Sequence, residues 1–161
     1  MSLRQQLDAV KSIAQTTNKI GKLFEHLIWT ISDQDMVSFY KDANGRIDVA
    51  MITRESTSVV DRGVNNKYDR HSIVLRWYRS VHRTNDDSTN TEDGFQDDVE
   101  AVRAAFDANR KLTVAGTHYS ALLADAMVAR LVGYVMFVGV FCHYAELVLV
   151  PWDGPYATQS A

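Results

Sequence analysis

Leu131-Val-Gly-Tyr-Val-Met-Phe-Val-Gly-Val-Phe-Cys-His-Tyr-Ala-Glu-Leu-Val-Leu-Val150 is the stretch that decides the fold. β-Branched and aromatic residues crowd it, so it reads as two long strands, 128–140 and 141–150, with Gly133 and Gly139 at bends, bulges or close approaches. Pro151 ends the pairing. Gly154-Pro155 and the small polar residues 157–161 then extend past the fold, so 153–161 reads as a flexible tail. The strongest apolar run, 131–142, is too short to span a bilayer, and residues 1–18 hold no secretory apolar segment, which points to a protein without a membrane.

Working upstream, residues 71–81 alternate as a strand, with Ile73, Leu75 and Trp77 on one face and Val74, Arg76 and Tyr78 on the other. Between them and the C-terminal strands, Phe95, Val99, Val102 and Phe106 fall at intervals of four, three and four. That spacing predicts an amphipathic helix, with Thr91 as its cap, Glu92 and Asp93 at its positive end and Asn109 as a left-handed stop. Residues 85–90 form a solvated connection. Asn44-Gly45 predicts a tight hairpin joining 36–41 to 46–53, where Ile47, Val49 and Met51 oppose Asp48, Ala50 and Ile52 in a sheet covered in places on both faces. Residues 56–67 read as a loop or bent edge. Ser2 caps a first helix carrying Leu3, Leu7, Val10 and Ala14. Ile20, Leu23, Phe24, Leu27, Ile28 and Ile31 keep helical period and predict a second, although their residue types also allow a strand after Phe24. Residues 112–126 mix turn and helix signals around Gly116 and receive no assignment.

The expected fold class is α/β (α+β): a mostly antiparallel sheet flanked by an N-terminal helix and a central amphipathic helix. A chain of 161 residues with 46% hydrophobic and 23% charged residues suits a single domain over 1–161, burying about two-thirds of the unfolded chain's surface. The net charge of −3 gives no whole-surface attraction to nucleic acid. Cys142, alone, forms no intrachain disulfide.

Five histidines, His26, His71, His82, His118 and His143, raise the question of a metal. Cys142 and His143 are adjacent on a strand and face opposite ways, and no zinc-type spacing accompanies them, so the expectation is no metal and no cofactor. His71 reads as a strand-end hydrogen-bonding group rather than a general base. Neither a Gly-x-Ser-x-Gly elbow nor a Gly-rich phosphate loop occurs, and Cys142 lies in an apolar run that raises a thiol's pKa. No catalytic residue is assigned, and the chain reads as not an enzyme.

Charge is distributed unevenly. Arg62, Lys67, Arg70, Arg76, Arg79 and Arg83 gather before and along the 71–81 strand, and Asp86, Asp87, Glu92, Asp93, Asp97, Asp98 and Glu100 follow it. Such runs are commonly solvated faces. The sharper reading is complementary patches on neighbouring copies, a head-to-tail contact that closes into a ring. Nucleic-acid binding through Arg70, Arg76, Arg79 and Arg83 ranks behind it, because the neighbouring acids repel phosphate.

In the order of these elements, with His71-Ser-Ile-Val-Leu-Arg-Trp-Tyr-Arg-Ser80, Asp97-Asp-Val-Glu-Ala-Val-Arg-Ala-Ala-Phe106 and Cys142-His-Tyr-Ala-Glu-Leu-Val-Leu-Val150, the chain resembles the tail terminator proteins of long-tailed bacteriophages over nearly its whole length. It departs from them in its extended amphipathic start and its Pro151-Trp-Asp-Gly-Pro155 ending. The resemblance implies a virion structural protein at the head-proximal end of the tail, assembled in the host cytoplasm. It would form a homo-hexamer that caps the tail tube protein and gives the head-completion or neck protein a docking surface, contacting the sheath as well if the tail is contractile. Genome DNA would pass through the lumen without specific binding. Arg70, Arg76, Arg79, Arg83, Asp86, Asp87, Asp97 and Asp98 are then the candidates for subunit interface or lumen. The alternatives are another head-tail connector or tail-completion protein, or a small nucleic-acid-binding domain.

Overall fold

A computed structural model of the chain describes residues 3–25, 38–61, 67–81, 91–118, 121–122 and 127–152. Helix α1, Leu3–Thr16, buries Ala9, Val10, Ile13 and Ala14, with Leu7 packed against the same cluster. It stops where the Thr16 and Thr17 hydroxyls donate back to the carbonyls of Ile13 and Ala14, each at 2.7 Å, and Asn18 turns left-handed at φ 53°.

Over 20–25, the described part of the stretch read as a second helix (20–31), the chain does not re-enter a helix. Lys22–Phe24 instead form β1, parallel to the next strand. Gly21 permits this approach, because a Cβ there would stand 2.7 Å from the Asp48 carbonyl oxygen. Leu23 then packs into one core cluster and Phe24 into another, a use of alternate residues that suits a strand. Residues 26–31 lie outside the described residues.

The Asn44-Gly45 turn forms, with Gly45 at φ 73°. The Asp42 carboxylate fastens it, accepting the backbone N–H groups of Asn44 and Arg46, each at 2.8 Å. The expected strand pair shrinks to a single Lys41–Ile47 bridge, since residues 38–40 are helical; 36–37 lie outside the described residues. The strand beyond, β2 (Asp48–Asp61), pairs antiparallel with β3 (Lys67–Ser80) along its whole length. Most of the expected loop at 56–67 is therefore regular strand, its pairing shifted once between Arg54 and Ser56.

Helix α2, Thr91–Ala108, places Phe95, Val99, Val102 and Phe106 inward as its spacing dictates. Asn109 is not the left-handed stop. Its side-chain amide clasps Thr113 by accepting from the backbone N–H and donating to the carbonyl, while Leu112 turns left-handed at φ 44°. The unassigned stretch contains three two-residue strands: β4 (Thr113–Val114), its partner β5 (Thr117–His118), and β6 (Ala121–Leu122).

β7 (Val128–Phe137) and β8 (Val140–Leu149) form the expected C-terminal pair, but the break comes earlier, at Val138-Gly139. Both residues have positive φ, 49° and 73°, as a two-residue type I′ turn requires. Pro151 does not end the pairing either. It interrupts β8, having no N–H to donate, yet Pro151–Trp152 continue as β9, which pairs with β3 and β6.

The main sheet runs β1-β2-β3-β8-β7, antiparallel throughout that path apart from β1 with β2. This is the α+β architecture expected of the sequence. Both helices lie on one face, where α1 and α2 enclose Ala50, Ile52, Ile73, Leu75, Trp77, Ala145, Leu147 and Leu149. The Trp77 and Phe95 rings meet edge-on at 5.1 Å. A second cluster, Tyr40, Ile47, Val49, Met51 and Cys142, packs on the opposite face.

Candidate assembly surface

β3 distributes its arginines by parity. Arg79 points with Trp77 toward α2, whereas Arg76 points with Tyr78 to the other face. Arg79 is held in place, its guanidinium 2.7 Å from Asp98, 2.7 Å from the Lys19 carbonyl and 3.3 Å from Asp48, and lying over the Trp77 ring at 4.8 Å. Burial alone would raise the Asp98 pKa, but Lys19 and Arg79 outweigh it and hold the carboxyl below its ordinary value. At Asp48 burial prevails over the Trp77 N–H bond and the Arg79 charge, so its pKa is raised.

Arg76 reaches Glu146 at 3.2 Å and the Thr53 hydroxyl at 2.9 Å. Glu146 also accepts from Arg130 and, at 2.8 Å, from the Tyr144 hydroxyl, and Arg130 continues to Glu55 at 2.6 Å. The four charges form one chain, Arg76–Glu146–Arg130–Glu55, across β3, β8, β7 and β2. Burial disfavours the Glu146 carboxylate, yet Tyr144, Arg130 and the charge of Arg76 more than offset it and lower its pKa. Tyr144 moves up, from burial and from donating to Glu146.

The predicted charged candidates therefore do not converge. Arg70 is exposed beside Ser56, Ser58 and Ser72 on the β2–β3 ribbon. Asp97 is exposed on α2, one position from Asp98, which turns inward to Arg79 and Lys19. Arg83, Asp86 and Asp87 lie outside the described residues. Arg76 and Arg79, which the sequence groups in one basic stripe, occupy opposite faces and are neutralised by carboxylates of this chain. Glu55, Arg130 and Glu146 were missed. Their signal was a lone arginine in β7 and a lone glutamate in β8, each in an otherwise apolar strand, as a cross-strand pair requires.

Cys142 and His143 separate as expected of adjacent strand residues. Cys142 is buried in the second cluster, where loss of solvent pushes its thiol up to about 11, so it stays protonated at neutral pH. His143 stacks on Phe95 at 5.3 Å and lies 3.1 Å from the Thr91 hydroxyl; burial lowers its pKa and keeps the ring neutral. Thr91 itself begins α2, with its side chain directed to that histidine. His71 is buried with its Nδ1 2.9 Å from the Thr57 hydroxyl. His26 and His82 lie outside the described residues. Among the described residues no group of His, Cys, Asp and Glu is placed to hold a metal ion, and no helix is long and apolar enough to cross a membrane.

Two concavities flank α2. A polar cleft of about 440 Å³ contains Asp48, Arg79, Asp98, Thr91 and His143, already bonded to one another or to neighbours. A groove of about 260 Å³ runs between Glu92, Gln96 and Glu100 on α2 and Val132 and Gly133 on β7. The groove opens onto β7. β7 is the last strand of the sheet path, with no strand on its outer side among the described residues. Its pairing with β8 sets Val132, Tyr134 and Met136 opposite Ala145, His143 and Phe141, on the helix-bearing face. Val132, Tyr134, Met136 and Phe141 remain 42%, 47%, 62% and 51% exposed. The row is ordered: Tyr134 stacks on Phe141 at 5.4 Å and donates its hydroxyl to Glu92.

No family model matches this chain, and no curated protein matches it.

Proposed function

We propose that this chain is a structural assembly subunit: a tail terminator of a long-tailed bacteriophage, resident in the virion, that caps the tail tube as a homo-hexameric ring and offers the head or neck its docking surface. The observation that carries the assembly reading is the β7 edge. An isolated soluble domain ordinarily protects such a strand with charges, proline, a bulge or a covering element. Here the one charge, Arg130, sits at a register shift near the start of the strand and is engaged with Glu55 and Glu146, while along the rest of β7 no strand covers the outer side among the described residues and the flanking apolar side chains stand in solvent. An ordered apolar row beside a strand whose outer edge is open among the described residues is the form of a surface that another chain completes. The phage assignment adds the resemblance in element order, and the hexamer follows from that resemblance. The pairing of Arg76 and Arg79 with carboxylates disfavours the nucleic-acid reading, since a phosphate would have to displace Glu146 and Asp98.

The test is to incubate the purified chain with growing tail tubes and image the ends. Six-fold rings at one end, with tube elongation stopped, are expected. Tubes that keep lengthening with bare ends at saturating protein would refute the terminator assignment.

A further inference from the structure

We infer that the first two turns of α2 are a latch, seated on a polar row that crosses the sheet, and that acid releases this latch through His143. The device is independent of the assembly reading.

The two halves of α2 meet the sheet differently. Val99, Val102 and Phe106 enter the main apolar cluster. Ahead of them only Phe95 is a buried apolar side chain, and the other contacts are polar. Asp48, Arg79, His143 and Tyr134 stand opposite one another in register on β2, β3, β8 and β7, so they form one cross-strand row on the helix-bearing face. α2 bonds three of the four. Asp98 accepts from Arg79 at 2.7 Å, the Thr91 hydroxyl lies 3.1 Å from His143 Nε2, and Glu92 accepts from the Tyr134 hydroxyl. Water can replace such bonds at small net cost, whereas nothing replaces the burial of Val102 and Phe106. Gly94 weakens the first half further. A Cβ there would meet nothing within 4 Å, so no close approach calls for this residue, a poor helix former.

His143 occupies the middle of the row. It is 2% exposed, with Phe95 stacked on it and the Tyr134 ring 5.1 Å away. It lines both the cleft of about 440 Å³ and the groove of about 260 Å³. Lifting the first turns would therefore join the two concavities and bare the row. Burial opposes a proton on His143, Glu92 of α2 favours it, and Arg79 of β3 opposes it; burial prevails and the seated ring is neutral. The positive end of the α2 dipole acts with burial. Tyr134 of β7 is itself held protonated by its bond to Glu92. Asp42, Arg46, Asp48 and Asp98 in the cleft and Glu100 in the groove complete the charged surroundings. Once the turns lift, the ring is hydrated and approaches the ordinary histidine value of 6.5, so the open form binds the proton that the closed form refuses. Closure is complete above that value and weakens as pH falls below it, until the closed form is protonated too.

Amide hydrogen exchange of the full chain, followed by NMR and corrected for intrinsic rates, reads the latch at residues 95–98 and the apolar half of α2 at 102–106. Opening at 95–98 is expected to exceed that at 102–106 and to increase between pH 7 and 5.5, by at most about ten-fold per pH unit, the limit for one proton. His143→Gln can still bond Thr91 but does not titrate, and should make that response flat. Gly94→Ala should lower the opening about five-fold at every pH. Equal opening in the two halves would mean that α2 leaves only by global unfolding and would overturn the latch. A pH response that survives in His143→Gln would belong to Asp48 or another carboxylate and would overturn the trigger. Wild type supplies a check that needs no variant: a His143 ring seen by carbon-13 NMR to titrate across this range, with exchange at 95–98 unchanged, would overturn the trigger as well.

Discussion

β7 and β8 are two strands of one hairpin, ten residues each, both rich in valine and aromatic residues, and their fates are opposite. β8 lies between β3 and β7 and buries Cys142, His143, Ala145, Glu146, Leu147 and Leu149, while β7 leaves Val128, Val132, Tyr134 and Met136 in solvent. A strand's residues determine that it will pair; its neighbours determine whether it is finished. β8 is completed inside one chain and contributes stability. β7 has no strand on its outer side among the described residues, and in the proposed reading its apolar residues serve association.

Truncation separates the two strands most sharply. Leu147→Ala in β8 removes a fully buried side chain and should cost about 2–5 kcal/mol, whereas Met136→Ala in β7 should change the stability of the monomer by less than about 0.5 kcal/mol. Urea denaturation at low protein concentration gives both values, and equal costs would erase the distinction. Next comes a contrast within the core: Gln6 on α1 is fully buried, and neither of its side-chain amide atoms has a hydrogen-bond partner among the described residues. Replacing Gln6 by leucine should raise stability by about 1 kcal/mol through relief of that desolvation. A loss on substitution would mean the amide finds a partner in the assembled protein.

Glu146 ties the hairpin together, since it bonds Arg130 of β7 and Arg76 of β3. Glu146→Ala should cost about 1 kcal/mol, a figure kept small because both guanidinium groups reach water. The same carboxylate predicts a pH response. Its folded pKa is depressed from 4.5, so its stabilising contribution is complete above the unfolded pKa and disappears as pH falls through the folded value. Asp48, whose pKa is raised from 3.8, acts in the opposite sense: its ionised form costs stability, which protonation restores as pH falls through that raised value. Denaturant midpoints between pH 3 and 7 should therefore show the acid-side decline flattened in Glu146→Ala and steepened in Asp48→Asn. Unchanged profiles would remove these carboxylates as its cause.

Where one physical signal dominated, the sequence was legible. The 4-3-4 spacing of α2, the alternation in β3 and the apolar C-terminal pair all come from burying one face, and each formed nearly as read. Reading failed where distant residues decide the outcome. Residues 22–24 could have been helix by period and became strand because Gly21 lets the backbone reach Asp48. The ribbon at 56–61 was hidden by serines and threonine whose pairing partners lie in β3. In the candidate site, Arg76 and Arg79 were read as one stripe because sequence proximity does not reveal the face that each carboxylate neutralises. The β7 edge was invisible for a related reason: edge and centre are positions in a sheet, and no local composition encodes them.

Val138 closes this hairpin in a left-handed conformation that asparagine or glycine would adopt at lower cost. A bend written with a β-branched residue is a poor place for zipping to start, so the strands must already be drawn together, with β8 laid on β3, before the corner tightens. Val138→Asn should then slow unfolding while leaving the refolding rate nearly constant, which the two limbs of a chevron plot would separate. Faster refolding would instead make this corner the nucleus.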